Sequence, residues 1–275
     1  MSTSRDSRRG AGMLLKPLAT NALTGAILAL AASAASADIT YGAPIQIGDG
    51  NARTYIVTNG DVPIELGLAV DQAFLEALPA DGDPGGMVMP DGRSTFEYVL
   101  EMPPGNGTPF QHVTLDWNPS GHEPDGVYDH PHLDVHFYVV SNDERLAIHP
   151  ADPDFAGKGG RLPDPAFMPT GYVDPGIPPV PMMGLHLVDP ASPELHPHSP
   201  ATFTHTFLYG SWDGRMIFLE PMVTTDFLQM RQEVLQVIPV AEQYDPPGYY
   251  PGAYGIRWDD AAEEYRIALT DLYWR

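Results

Sequence analysis

The sequence predicts a mainly β fold, a cupin-like or related β-barrel or sandwich with two short helices. Three observations lead there. Asp-Gly pairs at Asp49, Asp81, Asp91, Asp125 and Asp213 are hairpin-turn signals. The 30 prolines and 27 glycines break long helices and favour irregular connections. Short runs of alternating apolar and polar residues recur between these turns.

The chain opens on what reads as an address. Arg5, Arg8, Arg9 and Lys16 form a basic region, Ala19 to Ala34 is small and apolar, and Ala35-Ser-Ala37 gives a small-x-small cleavage pattern. The expectation is a signal peptide over residues 1–37 and a secreted or periplasmic protein cleaved after Ala37. Arg8-Arg9 raises a twin-arginine route, but the Phe-Leu expected after the pair is missing. The apolar core is too short and alanine-rich for a span of ~20 residues, and no later stretch reads as a membrane insertion. Residues 38–275 read as a single β-rich domain or two tightly packed β-lobes, long enough to bury a core without staples.

Strand-like runs follow in order: Ala52–Val57, Ser94–Glu101, Gln111–Asp116, Leu133–Val140, Thr202–Tyr209 and Arg215–Glu220. Tyr254–Trp258 and Tyr265–Leu272 read as a terminal hairpin. The two helices are expected over Pro63–Leu78 and, capped by Thr225, over Asp226–Ile238, each with an apolar stripe that reads as core. Ala151–Pro181, rich in Pro, Gly and Asp, reads as a long ordered loop over the barrel.

Composition narrows the function classes. There are 14 basic and 36 acidic side chains, and without residues 1–37 the balance is 10 against 35, a net −25. Such a surface repels nucleic acid and anionic membranes. High-salt adaptation, turn aspartates and weak calcium sites all fit it, although no EF-hand spacing occurs. Cysteine is absent, which excludes disulfides and thiolate chemistry. No nucleophile elbow and no phosphate or dinucleotide loop occurs, so no nucleotide cofactor is expected. Paired carboxylates of the glycosidase kind stay open, since distance rather than spacing identifies them.

The chemistry concentrates in Asp116–Tyr138, DWNPSGHEPDGVYDHPHLDVHFY. His122, His130, His132 and His136 fall within fifteen residues of one another, with Glu123, Asp125, Asp129 and Asp134. Imidazole and carboxylate are the ligands of first-row metals and the commonest acid–base groups. Strand alternation puts His132, Asp134, His136 and Tyr138 on one face and Leu133, Val135 and Phe137 on the other, so the polar face is expected to line a cavity inside a barrel. Residues at i and i+2 are ~7 Å apart and those at i and i+4 ~13 Å, so His132 and His136 should not share an ion. Asp134 can join either neighbour, or orient one from behind. His186, in an apolar segment, and Glu220, ending Met216–Leu219, are the distant ligand candidates. His122 is a candidate cap to the mouth, and His205 a further cavity-lining candidate.

Three readings of this set stay open: a divalent metal site (zinc, iron, manganese or copper), a buried hydrogen-bond network tying two sheets together, and a metal-free acid–base site.

The strings Asp116-Trp-Asn-Pro-x-Gly-His-Glu-Pro-x-Gly-x-Tyr128 and Pro131-His-x-Asp-x-His-Phe-Tyr138 resemble the signature of an exported prokaryotic family of unassigned function. That family is typified by an oligomeric thermophile protein under extracytoplasmic-stress sigma-factor control. Met183-Gly-x-His186, Phe218-x-Glu-Pro-Met222 and Gly248-Tyr-Tyr-Pro251 resemble its later blocks. The resemblance implies a β-rich fold, export and a homo-oligomer, and no established activity. His130 lies outside the pattern, and Leu133 and Val135 stand where the family usually has Phe. Two functional classes follow. One is an oligomeric envelope or stress protein, with a small-molecule ligand conceivable in its cavity. The other is a metal-dependent cupin-like enzyme in which Tyr138 or His122 handles protons. A metal site with one open position would favour the enzyme.

Overall fold

A computed structural model describes residues 37–196 and 201–275. Residues 1–36 of the expected leader lie outside the described residues. The strands run β1 (Asp38–Tyr41), β2 (Ile45–Ile47), β3 (Gly50–Asn59) and β4 (Val62–Asp71), then helix α1 (Gln72–Glu76). Next come β5 (Met87–Val88), β6 (Ser94–Glu101), β7 (His112–Asn118) and β8 (His132–Tyr138), followed by α2 (Asn142–Leu146) and α3 (Phe155–Gly159). After β9 (Leu185–Leu187), β10 (His205–Trp212) and β11 (Arg215–Thr224) come α4 (Thr225–Gln229) and β12 (Val234–Val237). The chain closes with β13 (Tyr249–Tyr250), β14 (Ala253–Asp259), β15 (Glu264–Thr270) and β16 (Tyr273–Trp274).

Two antiparallel sheets carry the fold. One orders its strands β1-β3-β4-β15-β14-β12, with β2 also on β3; the other runs β5-β6-β7-β8-β11-β10-β9. Their facing sides meet in one apolar core, with Leu66, Leu68, Val70, Tyr254 and Ile267 from the first sheet and Val113, Leu115, Val135, Phe137 and Leu219 from the second. The result is a β-sandwich, as the turn chemistry and alternation predict. The Asp213-Gly214 pair makes the β10–β11 hairpin, with Asp213 at φ 50 and Gly214 at φ 80. Among the described residues no helix is long and apolar enough to cross a membrane.

Both expected helices need correction. Over Pro63–Leu78 the chain is a strand as far as Asp71, because Leu66, Leu68 and Val70 recur every second residue and pack their fully buried side chains into the core. Asp71 then stops the strand and caps α1, its carboxylate accepting from Phe74 N at 2.8 Å. At Asp226–Ile238 the cap is Thr224 rather than Thr225, and only one helical turn follows. Arg231 takes a left-handed φ of 51, after which Val234–Val237 pairs with Ala253–Ile256 as an edge strand.

The barrel-interior expectation is also revised. β7 and β8 lie side by side at the centre of their sheet, pairing Thr114↔His136, Asp116↔Asp134 and Asn118↔His132. The face carrying these polar residues points away from the first sheet. It is covered by described parts of the connections, with Tyr128 and Phe203 against His132, and Ile148, Phe155 and Met183 packed with Tyr138 and Phe218. The loop expected over Ala151–Pro181 belongs to this cover, and it also holds α3 and a three-residue 3-10 turn at Pro165–Phe167. Two small apolar clusters flank the polar face. Tyr138, Ile148 and Phe218 lie at one end, and Tyr128, Phe203, Leu208 and Met222 at the other.

Candidate metal centre

Two groups of potential ligands stand on this covered face. His136, His186 and Glu220 form one, and His122, His132 and Asp134 the other, with the ligand atoms of each within 4.8 Å of one another. His132 and His136 thus belong to different groups, and Asp134 stands with His132.

The first group is assembled from three strands. β8 supplies His136, and its register with β11 (Leu219↔Phe137, Met222↔Asp134) continues to set Glu220 against His136. His186 comes from β9, where it pairs with Gly210 of β10. Gly210 has no side chain for a reason: a Cβ there would come within 2.0 Å of the Phe218 ring. That ring packs against both imidazoles, at centroid distances of 4.7 Å from His136 and 5.2 Å from His186. His136 Nε2 lies 3.3 Å from Glu220 Oε1, and His186 Nε2 lies 3.6 Å from Glu220 Oε2.

The tautomer of His136 follows from its other nitrogen. Thr114 Oγ1 donates its only proton to Asp116 Oδ2 at 2.9 Å, so toward His136 Nδ1, 3.3 Å away, it must accept. Nδ1 therefore carries a hydrogen, which leaves Nε2 facing Glu220, with a lone pair whenever the ring is neutral. Asp116 Oδ2 is itself 3.0 Å from Nδ1. A carboxylate behind an imidazole is how metal-ligating histidines are oriented.

Burial sets the electrostatics. Glu220 is 2 % exposed and Asp116 fully buried, and desolvation pushes both carboxyl groups upward, against the attraction of His136. Burial lowers His136, but the Glu220 and Asp116 carboxylates outweigh it and raise the imidazole. His186 goes the other way, down to about 3, through burial and then the positive charges of His136 and His122, so it presents a lone pair at neutral pH.

The second group is built on β8 and the loop before it. Gly121, at φ +69, admits the tight approach to Tyr128 O that starts the loop, and His122 N donates to that same carbonyl. Arg93 ties the far side down, reaching Asp91 at 2.6 Å, Asp125 at 3.0 Å and Asp129 at 2.9 Å. His122 Nε2 then lies 3.2 Å from Asp134 Oδ2, and His132 Nε2 3.1 Å from Asp134 Oδ1. Asn118 Nδ2 donates to Asp134 Oδ2 at 2.7 Å. Burial works against the Asp134 charge, yet the flanking His132 and His122 hold its carboxyl well below the usual range.

Other sequence candidates go elsewhere. His205 turns to the core face, where its Nδ1 meets Tyr254 OH at 2.7 Å, because it shares strand parity with the core residue Phe207. Tyr138 does stand on the polar face, but its hydroxyl donates to Met182 O at 3.3 Å. His130 contributes only a carbonyl, and Asp125 and Asp129 serve Arg93. Reading β8 alone misses Thr114, Asp116 and Asn118. The signal for them was the same alternation one strand earlier, His112-x-Thr-x-Asp-x-Asn118, which puts four polar residues on one face of β7.

A family model described as TTHB210-like, "Hypothetical protein TTHB210", matches residues 60–117. That stretch is about a fifth of the chain, from Gly60 in the turn before β4 to Trp117 on β7. It supports membership of an uncharacterised family typified by a thermophile protein. No curated protein matches, and no solved structure matches.

Proposed function

We propose that the chain is an exported, acidic β-sandwich protein, a homo-oligomer of the cell envelope, that holds a divalent first-row metal ion on His136, His186 and Glu220. The observation that carries the metal reading is a pair of buried ligand atoms left without hydrogen bonds, His136 Nε2 and Glu220 Oε2. Buried polar atoms are nearly always paired, and a charge-assisted N–H···O bond measures ~2.7–2.9 Å. The contacts of 3.3 and 3.6 Å between the histidines and Glu220 are longer than that. They match instead the ~3.3 Å edge of a tetrahedron with bonds of ~2 Å. Two imidazoles and a carboxylate suit zinc, iron, copper or manganese better than calcium or magnesium, which prefer oxygen-only shells.

Export and acidity are consistent with the basic, alanine-rich leader and the net charge of −22. In this reading the metal joins β8, β9 and β11 and adds to folding stability. A catalytic variant of it, a metal-dependent enzyme acting on a small molecule, draws on the side chains of His186 and His122, which are 22 % and 26 % exposed. Tyr138 is a poor proton carrier for such chemistry, because its hydroxyl is committed to a backbone carbonyl.

The test is a zinc titration of metal-stripped protein against a chromophoric chelator. Wild type is expected to compete for the ion, and in Glu220→Gln the binding made at His136 and His186 should weaken by ~100-fold or more while the far-UV circular dichroism is kept. Equal zinc affinity in both proteins would overturn the assignment.

A further inference from the structure

We propose that His122, His132 and Asp134 form a second divalent-cation site, occupied separately from the first. The inference rests on the metal reading of this face, but its own observations are independent of His136, His186 and Glu220. Both histidines are fixed from behind by backbone carbonyls: His132 Nδ1 is 2.6 Å from His130 O, and His122 Nδ1 is 2.6 Å from Glu123 O. A carbonyl oxygen can only accept, so each Nδ1 carries a hydrogen. This leaves both Nε2 atoms aimed at one carboxylate, an arrangement that calls for a positive centre between them, either a ring proton or a bound cation. A carbonyl on the far nitrogen is also the usual way a metal-ligating imidazole is oriented.

The carboxylate points to the same conclusion. Asp134 is 4 % exposed, and its Oδ1 has no hydrogen-bond partner, although His132 Nε2 is only 3.1 Å away. Its other oxygen is oriented by Asn118 Nδ2, which also comes within 3.4 Å of His132 Nε2. The separations of 3.1 and 3.2 Å lie at the long end of the N–H···O range and are compatible with atoms sharing one ion at ~2 Å.

The two sites do not merge into one. His132 and His136 are four residues apart on β8, so their side chains leave the strand ~13 Å apart, and the ligand atoms fall into two separate groups. Each set combines buried ligands with one partly exposed histidine, His186 at 22 % and His122 at 26 %. The donors of the second set, two imidazoles and one carboxylate, select the same class of ion, a first-row divalent transition metal.

Cobalt(II) chloride and zinc(II) chloride titrations of the metal-stripped mature chain test this, read by isothermal calorimetry and by the visible d–d bands of cobalt. Wild type is expected to take up two equivalents. His122→Ala and Asp134→Asn should each take up one and retain the cobalt spectrum of the first site. Glu220→Gln should also take up one, with the other spectrum. His122 is on a partly exposed loop and Asp134→Asn is isosteric, so both variants are expected to fold. One equivalent in wild type, kept in His122→Ala and lost in Glu220→Gln, would overturn the second site and leave the first. One equivalent lost in His122→Ala and kept in Glu220→Gln would support the second site and contradict the first. No uptake would overturn both.

Discussion

Asp116→Asn tests how the first site is held, because Asp116 touches no proposed ion and acts only through His136 and Thr114. The substitution preserves shape and removes one charge from a residue with no solvent exposure. Asp116 Oδ2 is 3.0 Å from His136 Nδ1. With the imidazole width and a bond of ~2 Å added, a divalent charge bound at Nε2 is ~7 Å from that carboxylate. Their attraction is ~1 kcal/mol with water-like screening and ~5 kcal/mol at an effective dielectric of ~20. Asparagine can also donate to Thr114 Oγ1, turning the hydroxyl proton onto His136 Nδ1 and favouring the tautomer that blocks Nε2. Loss of an orienting partner of this kind typically weakens metal affinity 10–100-fold, or about 1.4–2.7 kcal/mol. The assay is chelator competition with zinc on metal-stripped protein, with thermal melting of the same samples. Binding at the first site is expected to fall by that factor while the metal-free melting point stays close to wild type. Affinity within twofold of wild type would refute the role given to Asp116, and so would an equal loss at the His122–His132–Asp134 group.

Two further outcomes concern the fold. Phe137 is fully buried between the sheets, edge-on to Phe110 at 6.3 Å, so Phe137→Ala should cost about 3–5 kcal/mol in urea unfolding; a loss under 1 kcal/mol would contradict the core assignment. His112 is 2 % exposed and stacked on Tyr138, and burial, then the Arg145 charge, pushes it down to about 4. Its unfolded form binds the proton first as pH falls, so its contribution is complete above about pH 6.5 and is lost towards pH 4, up to roughly 3 kcal/mol. The difference in stability between pH 7 and pH 4.5 should be smaller in His112→Gln than in wild type, and an unchanged difference would refute this.

Sandwich and site were legible to different depths. Alternation in β8 was enough to separate Leu133, Val135 and Phe137 from His132, Asp134 and His136, because a central strand with one apolar face leaves no other register. The same alternation in Leu66, Leu68 and Val70 was hidden by Phe74 and Leu75 just beyond, which belong to the single turn capped by Asp71 and lengthen the apolar run to helical size. Val234–Val237 was hidden differently. Its partner, Ala253–Ile256, lies well along the chain, and non-local pairing leaves no local pattern to read. For the site, the spacing limit on strands separated His132 from His136. It could not show that Gly210 and Phe218 bring His186 to Glu220, since that depends on three strands meeting. Nor could density of titratable residues show that Asp125 and Asp129 are held by Arg93, 36 positions before Asp129.

Elemental analysis of the untagged protein, expressed with its leader and with export intact, tests the metal reading most directly. At least one equivalent of zinc, iron, manganese or copper per chain is expected, with the first-site ion lost in Glu220→Gln while the fold is kept. A metal-free wild type, with Glu220→Gln differing from it only by a shifted melting point, would contradict the account and make the histidine–carboxylate face a structural network.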